Sequence, residues 1–201
     1  MPQGRYTVLG DDATPVGTES FRCAPGPMGW RYFSDVDTTD PIPHRVVVDV
    51  VVGSDWRIAR VRIDTGEHQL LLEPRGNVLT GFRDGSEIEI EYGPEMHLDY
   101  FTPATNVVTT RRLTGTEVID VVSLAPLTLE PSRLRQRYEL RGSEQVETPA
   151  GTFRSTRWSF TDLDSGWTAD LWVAGDTVVA YDQLFELSWY EAGASGMQPL
   201  T

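Results

Sequence analysis

Apolar and polar positions alternate with period two along most of this chain, in runs at about residues 5–9, 17–23, 30–37, 56–65, 68–73, 78–82, 116–124, 151–160, 167–174, 178–181 and 185–190. Successive side chains on a strand point to opposite faces, so each run predicts a half-buried strand. Ile88, Ile90 and Tyr92 share one face, while Glu87, Glu89 and Glu91 share the other. In 56–65, Ala59, Val61 and Ile63 fall on one face and Trp56, Ile58, Arg60, Arg62 and Asp64 on the opposite one. Residues 46–52 are β-branched except for Asp49, the composition of a central strand covered on both sides. A carboxylate there needs donors, and an arginine is the natural one. Turn clusters such as Ala24-Pro-Gly-Pro-Met-Gly29, Gly53-Ser-Asp55, Arg75-Gly-Asn77, Asp84-Gly85 and Gly175-Asp176 separate the runs, which is the pattern of an antiparallel meander. No stretch holds a helical period over a dozen residues; residues 130–136 are the best place for a helical turn or a loop crossing. The expected class is all-β with little or no helix.

The least ordinary stretch is 99–138. It contains Asp99-Tyr-Phe-Thr-Pro-Ala-Thr-Asn106, the pair Arg111-Arg112 before Leu113, Leu129-Glu-Pro131 and Gln136-Arg-Tyr138. Pro103 and Pro131 mark strand ends or bends, because proline has no ladder donor. The two arginines are expected in a strand, where neighbours point to opposite sides and at most one reaches any given ligand. These runs, with Trp56-Arg57 and Gly81 upstream, resemble the middle of the family of bacterial proteins described as glycolipid-binding. The resemblance implies a single strongly curved antiparallel sheet, a spiral roll like the hemi-barrel of lipoprotein carriers, with a hydrophobic concavity and no known catalytic residues. Gly17-Thr-Glu-Ser-Phe-Arg22 and Gly151-Thr-Phe-Arg154 each open a strand followed by a tryptophan-led one. That echo suggests two similar sub-sheets, about 1–98 and 99–191, within one all-β domain spanning 1–191. A flexible tail is expected at 192–201.

At 201 residues and 39% hydrophobic content the chain has material for one large β core. Its net charge of −13 opposes nucleic acid and anionic membrane surfaces, whose phosphates would be repelled. All 17 basic residues are arginine, a composition that follows from a GC-rich genome, although single arginines still suit carboxylates, phosphates and sugar hydroxyls. Cys23 is the only cysteine, so no internal disulfide forms. The N-terminus lacks the pattern of a signal peptide, and no apolar run is long enough to insert into a membrane. The expected location is therefore the cytoplasm.

Catalytic motifs are missing: there is no Gly-x-Ser-x-Gly, Walker loop, Gly-x-Gly-x-x-Gly or His-Glu-x-x-His. His44, His68 and His97 have no metal-ligand spacing, so no metal, nucleotide or other cofactor is expected. The positive signal is aromatic: six tryptophans and seven tyrosines recur on alternating positions, and such rings suit either a packed core or a groove that is apolar in body and wet at its mouth. The adopted expectation is non-catalytic binding of a lipid or glycolipid-like small molecule in a concave apolar groove. Tyr100, Asn106, Arg111, Arg112, Gln136 and Tyr138 would meet its polar head, supported by Trp56, Trp158 and Trp172. Two alternatives stand beside it. One is an enzyme using Asp49, Asp120 or Asp170 as a buried acid or base. The other is a scaffold whose open strand edges recruit protein partners or pair two copies of the chain into a homodimer.

Overall fold

The computed structural model describes residues 1–10, 12–40, 43–193 and 199. Its strands are β1 (Gln3–Leu9), β2 (Pro15–Gly26), β3 (Gly29–Thr38), β4 (His44–Gly53), β5 (Ile58–Asp64), β6 (Gln69–Arg75), β7 (Val78–Arg83), β8 (Ser86–Glu91) and β9 (His97–Asp99). A single helix α1 (Pro103–Arg112) follows, and then β10 (Glu117–Leu124), β11 (Pro131–Thr148), β12 (Gly151–Asp162), β13 (Thr168–Ala174), β14 (Thr177–Tyr181) and β15 (Phe185–Glu191). All fifteen strands form one sheet in the order β8-β7-β6-β5-β4-β3-β2-β1-β15-β14-β13-β12-β11-β10-β9. The first and last strands pair in the middle of that order, so the two halves of the chain spread outward from the β1·β15 seam. The ladder is antiparallel except for β9 beside β10. The all-β meander is as the sequence predicts; the tail expected at 192–201 falls mostly outside the described residues.

The sheet is wound, not flat. Arg83 on β7 donates to the carbonyl of Thr128 at 2.9 Å, Thr65 Oγ1 donates to the carbonyl of Leu127 at 3.3 Å, and Arg133 pairs with Glu91 at 2.7 Å. These contacts join strands from opposite ends of the sheet order through side chains, while the backbone ladder stays open between β8 and β9. Strand β8 leaves its glutamates along the open edge, a charge pattern that discourages edge-to-edge pairing with another copy.

Inside the roll lies α1. A parallel pair cannot be joined by a hairpin and needs a crossover, and α1 supplies it between β9 and β10. Thr102 is its N-cap, with extended φ −157° and ψ 144°, Pro103 occupies the first turn, and Arg111 and Arg112 close the last. Each of these choices favours a helix at its position. Residues Pro103 to Thr110 are all buried. This corrects the strand expected at Arg111-Arg112. A helix wrapped by sheet on every side has no polar face and so shows no amphipathic period. Its threonines are made compatible with burial by bonding back along the chain, Thr110 Oγ1 to the carbonyl of Asn106 at 2.8 Å and Thr105 Oγ1 to the carbonyl of Tyr100 at 2.9 Å.

Two smaller corrections follow the same logic. The turn or crossing expected at 130–136 is instead the start of the long strand β11. In β5 the register against β4 shifts between Val51 and Val52, so Ile58 turns inward and Ala59 outward, the reverse of strict alternation. The bulge supplies one extra residue and flips the face.

Candidate functional site

Because the meander is antiparallel, its turns fall into two sets at opposite ends of the roll. Turns at 12–14, 39–40, 65–68, 84–85, 125–130, 163–167 and 182–184 gather at one end, together with the entry to α1. The remaining turns, the exit of α1 and the chain's first residue gather at the other. The helix of ten residues spans about 15 Å at 1.5 Å per residue, so it fills the middle of the roll between the two ends.

At the end where α1 begins there is an apolar hollow of about 600 Å³. Its deep wall is Val8, Val36, Val46 and Tyr100, all buried, and its outer wall includes Val16, Phe101, Leu127 and Leu184. The rim is polar: Asp12, Thr14, Thr38, Asp40 and His44. Thr14 holds Asp12 through its amide and hydroxyl and keeps that carboxyl below its ordinary range. Thr38 Oγ1 lies 2.8 Å from a ring nitrogen of His44.

Beside it is a second hollow of about 410 Å³ with a different lining. Asp99, Asn106, Gln136, Asp162 and Gln183 give it polar groups, and Phe160, Trp167, Tyr181 and Phe185 give it rings. Tyr100, Phe101, Pro126 and Leu184 belong to both hollows. The hydroxyl of Tyr100 donates to the carbonyl of Pro126 at 2.8 Å, so that bond is part of the partition between them. The strap above, residues 125–130, contains Leu129 at φ 58° and fully buried, a conformation rarely adopted by a branched, bulky side chain.

Gln136 Nε2 donates to Asp99 at 2.8 Å and Thr105 Oγ1 to its other oxygen at 3.4 Å. Desolvation raises the Asp99 carboxyl; Gln136, Thr105 and the Tyr100 amide pull it back, while nearby Asp162 pushes it further up. Burial also works against ionising Asp162, but the Ser165 hydroxyl and the amides of Asp164 and Ser165 outweigh it and hold that group low.

The structure therefore gathers three of the expected head-group residues, Tyr100, Asn106 and Gln136, on the second hollow. Tyr138 stands directly behind, buried, with its hydroxyl 3.4 Å from Asn106 Oδ1, and Trp158 packs against Tyr138 at 6.5 Å without reaching either hollow. The others are elsewhere. Arg111 and Arg112 sit at the far end of α1, where Arg111 lies over the Trp56 ring at 4.8 Å and Arg112 donates to the carbonyls of Met96 and Pro94. Trp172 is on the outer face, beside Arg157 and bonded to Glu144. Strand parity cannot foresee this, because a helix separates its two ends lengthwise.

The carboxylates considered for acid or base work lie on the convex side. Asp49 is held by both donors of Arg31 at 2.8 Å, Asp170 by Arg157 and Ser159, and Asp120 is exposed beside Arg135. Burial, with Asp176 adding to it, pushes the Cys23 thiol up to about 12, so it is an inert thiol at neutral pH. What parity did mark, and the sequence reading passed over, is Glu19. It shares a face with Phe21 and Cys23, is fully buried, and accepts from Tyr32 and Thr102, each at 2.8 Å, on one oxygen. Burial raises Glu19 to about 7 against the pull of the Ser34, Tyr32 and Thr102 hydroxyls. Asp99, Asp162 and Trp167 were likewise missed; Asp99 opens the stretch singled out above.

No family model matches the chain, and no curated protein matches it in sequence. Among solved structures it is similar to a DUF1089 family protein from Pseudomonas aeruginosa, with 18% identity, a TM-score of 0.61, and 86% of this chain and 93% of that one covered. It is also similar to a β-barrel-like protein of DUF1849, a domain of unknown function, from Brucella abortus, with 6% identity, a TM-score of 0.52, and 94% and 96% covered. At these identities the shared property is the fold.

Proposed function

We propose that the protein binds an amphiphilic small molecule, its apolar part in the hollow walled by Val8, Val36 and Val46 and its polar part in the adjoining hollow walled by Asn106 and Gln136. The observation that carries this reading is the pairing itself: an apolar cavity of ligand size, about 600 Å³, beside a smaller one with a few convergent polar groups. That division is the usual anatomy of a small-molecule site. Amide side chains and exposed ring faces suit hydroxyl-rich heads, so a glycolipid-like ligand is the specific form we favour, in keeping with the likeness of the central stretch to the glycolipid-binding family. The β-barrel-like fold of the DUF1849 protein is compatible with a carrier of this kind.

The test is extraction of the purified protein with organic solvent followed by mass spectrometry, together with displacement of a neutral naphthylamine probe. A co-purifying alkyl-bearing molecule, or displacement by alkyl glycosides with an affinity that rises with chain length, is the expected result. No extractable molecule and no probe binding would overturn the proposal.

A further inference from the structure

Several acids on the outer face meet arginines: Asp49 with Arg31, Asp35 with Arg45, Asp170 with Arg157, Glu139 with Arg137 and Arg141. Those around the two adjoining hollows do not. Asp12, Asp40, Asp99 and Asp162 line them, and none of the four has an ion-pair partner among the described residues. All 17 arginines of the chain are described, and none lines either hollow.

The second hollow adds a feature that acids alone would lack. Phe160, Trp167 and Tyr181 pack in mutual contact, with centroids 5.6, 6.1 and 6.2 Å apart, and Trp167 is 36% exposed. Ring faces attract cations through their quadrupoles, with tryptophan the strongest. Asp99 and Asp162 line the same hollow as these rings. A carboxylate taken out of water is ordinarily neutralised by a partner. Here Asp99 and Asp162, both half-buried, share one aromatic hollow that no arginine or histidine lines. Among the described residues no group of three or more His, Cys, Asp and Glu side chains could hold a metal ion. Rings and paired carboxylates together fit an organic cation.

We infer that the hollow lined by Asp99, Asp162 and Trp167 is a subsite for an ammonium-bearing head group, so that the glycolipid-like ligand favoured above carries an amino sugar and anionic lipids are excluded. This rests on the apolar hollow being the tail site. Anionic heads meet only like charge here, and the outward pull of solvent on them is unopposed. A neutral glycoside satisfies the amides but leaves the two carboxylates without a counter-ion.

The experiment compares three amphiphiles with the same decyl chain, namely decyltrimethylammonium, decyl glucoside and decanoate, below their micelle concentrations at neutral pH. Each displaces the neutral naphthylamine probe from the full chain. The expected order is ammonium, then glucoside, then decanoate, with at least about tenfold between the first and the last. The preference should shrink as salt rises from about 20 to about 500 mM. Asp162→Asn and, separately, Trp167→Leu should each lower the ratio of ammonium to glucoside affinity several-fold, since the cation gains from the charge and from the ring quadrupole more than a neutral head does. Two variants are used because Asp162 also organises its own turn. Decanoate binding as well as the ammonium, or a preference unchanged in both variants and in high salt, overturns the inference and leaves the tail site standing. If glucoside also fails to bind, the tail site itself is overturned, and the inference falls with it.

Discussion

At the residue scale the most consequential side chain is Glu19, where an acid occupies an inward position between Tyr6 and Val36. Its folded-state value of about 7 lies above the ordinary 4.5, so the folded protein holds this proton more tightly than the unfolded chain does. The associated stability is fully present below about pH 4.5 and is lost as pH rises to about 7. At roughly 1.4 kcal/mol per unit, the charged form costs ~3 kcal/mol above that window. His97 acts in the other sense. Burial, assisted by Arg112, lowers it from 6.5 to about 3, so its contribution is present above pH 6.5 and lost as pH falls toward 3. Between pH 4.5 and 6.5 the two slopes oppose each other. Glu19→Gln keeps an acceptor for Tyr32 and Thr102 and removes the charge; chemical denaturation should show it more stable than wild type at pH 8 by ~1–3 kcal/mol, with no gain at pH 4. Equal stability of the two proteins at pH 8 would show that ionising Glu19 costs the folded state nothing, and so that its value is not raised on folding. Glu19 was legible in principle, because the parity of Glu19, Phe21 and Cys23 is a sequence fact. It was passed over because an acid on a strand is normally assigned to the wet face.

At the element scale, strands and turns could be read and the helix could not. Strands announced themselves through period two and through turn chemistry such as Asp84-Gly85, where both residues adopt positive φ. Helix α1 is built from Val107, Val108, Thr109 and Thr110, residues of modest helix propensity whose pattern is that of a strand. What makes them helical is the crossover required by β9 and β10 and burial on every side, neither of which a local window contains. The site followed the same division. Tyr100, Asn106 and Gln136, expected together, do lie together around α1's entry, whereas Arg111 and Arg112 are set apart from them by the length of the helix. The entry depends on Thr102, which caps α1 and bonds to Glu19. Thr102→Ala removes both functions, and thermal unfolding should show a loss of ~1–2 kcal/mol. A loss below a few tenths of a kcal/mol would mean that the cap is replaced by its neighbours. Tyr100→Phe deletes the bond to the Pro126 carbonyl and should cost ~1 kcal/mol, and hydrogen exchange should quicken at residues 125–130 while β3 and β4 stay protected.

At the scale of the whole molecule, the sheet is bent far enough for strands remote in its order to touch through side chains, and the chain uses its own helix to fill the centre. The apolar volume that survives is at the α1 entry end, and the arginine-bearing end is structurally separate from it. This arrangement predicts that function is confined to one end of the roll. Binding affinity for a neutral decyl glycoside, measured by calorimetry on wild type, Val16→Trp and Trp56→Ala, tests that most directly, with circular dichroism confirming that each variant is folded. We expect Val16→Trp, which places an indole in the mouth of the apolar hollow, to lower affinity by at least about tenfold. Trp56→Ala, at the opposite end, should leave it unchanged. Retained affinity in Val16→Trp with loss in Trp56→Ala would contradict the account and move the site to the other end.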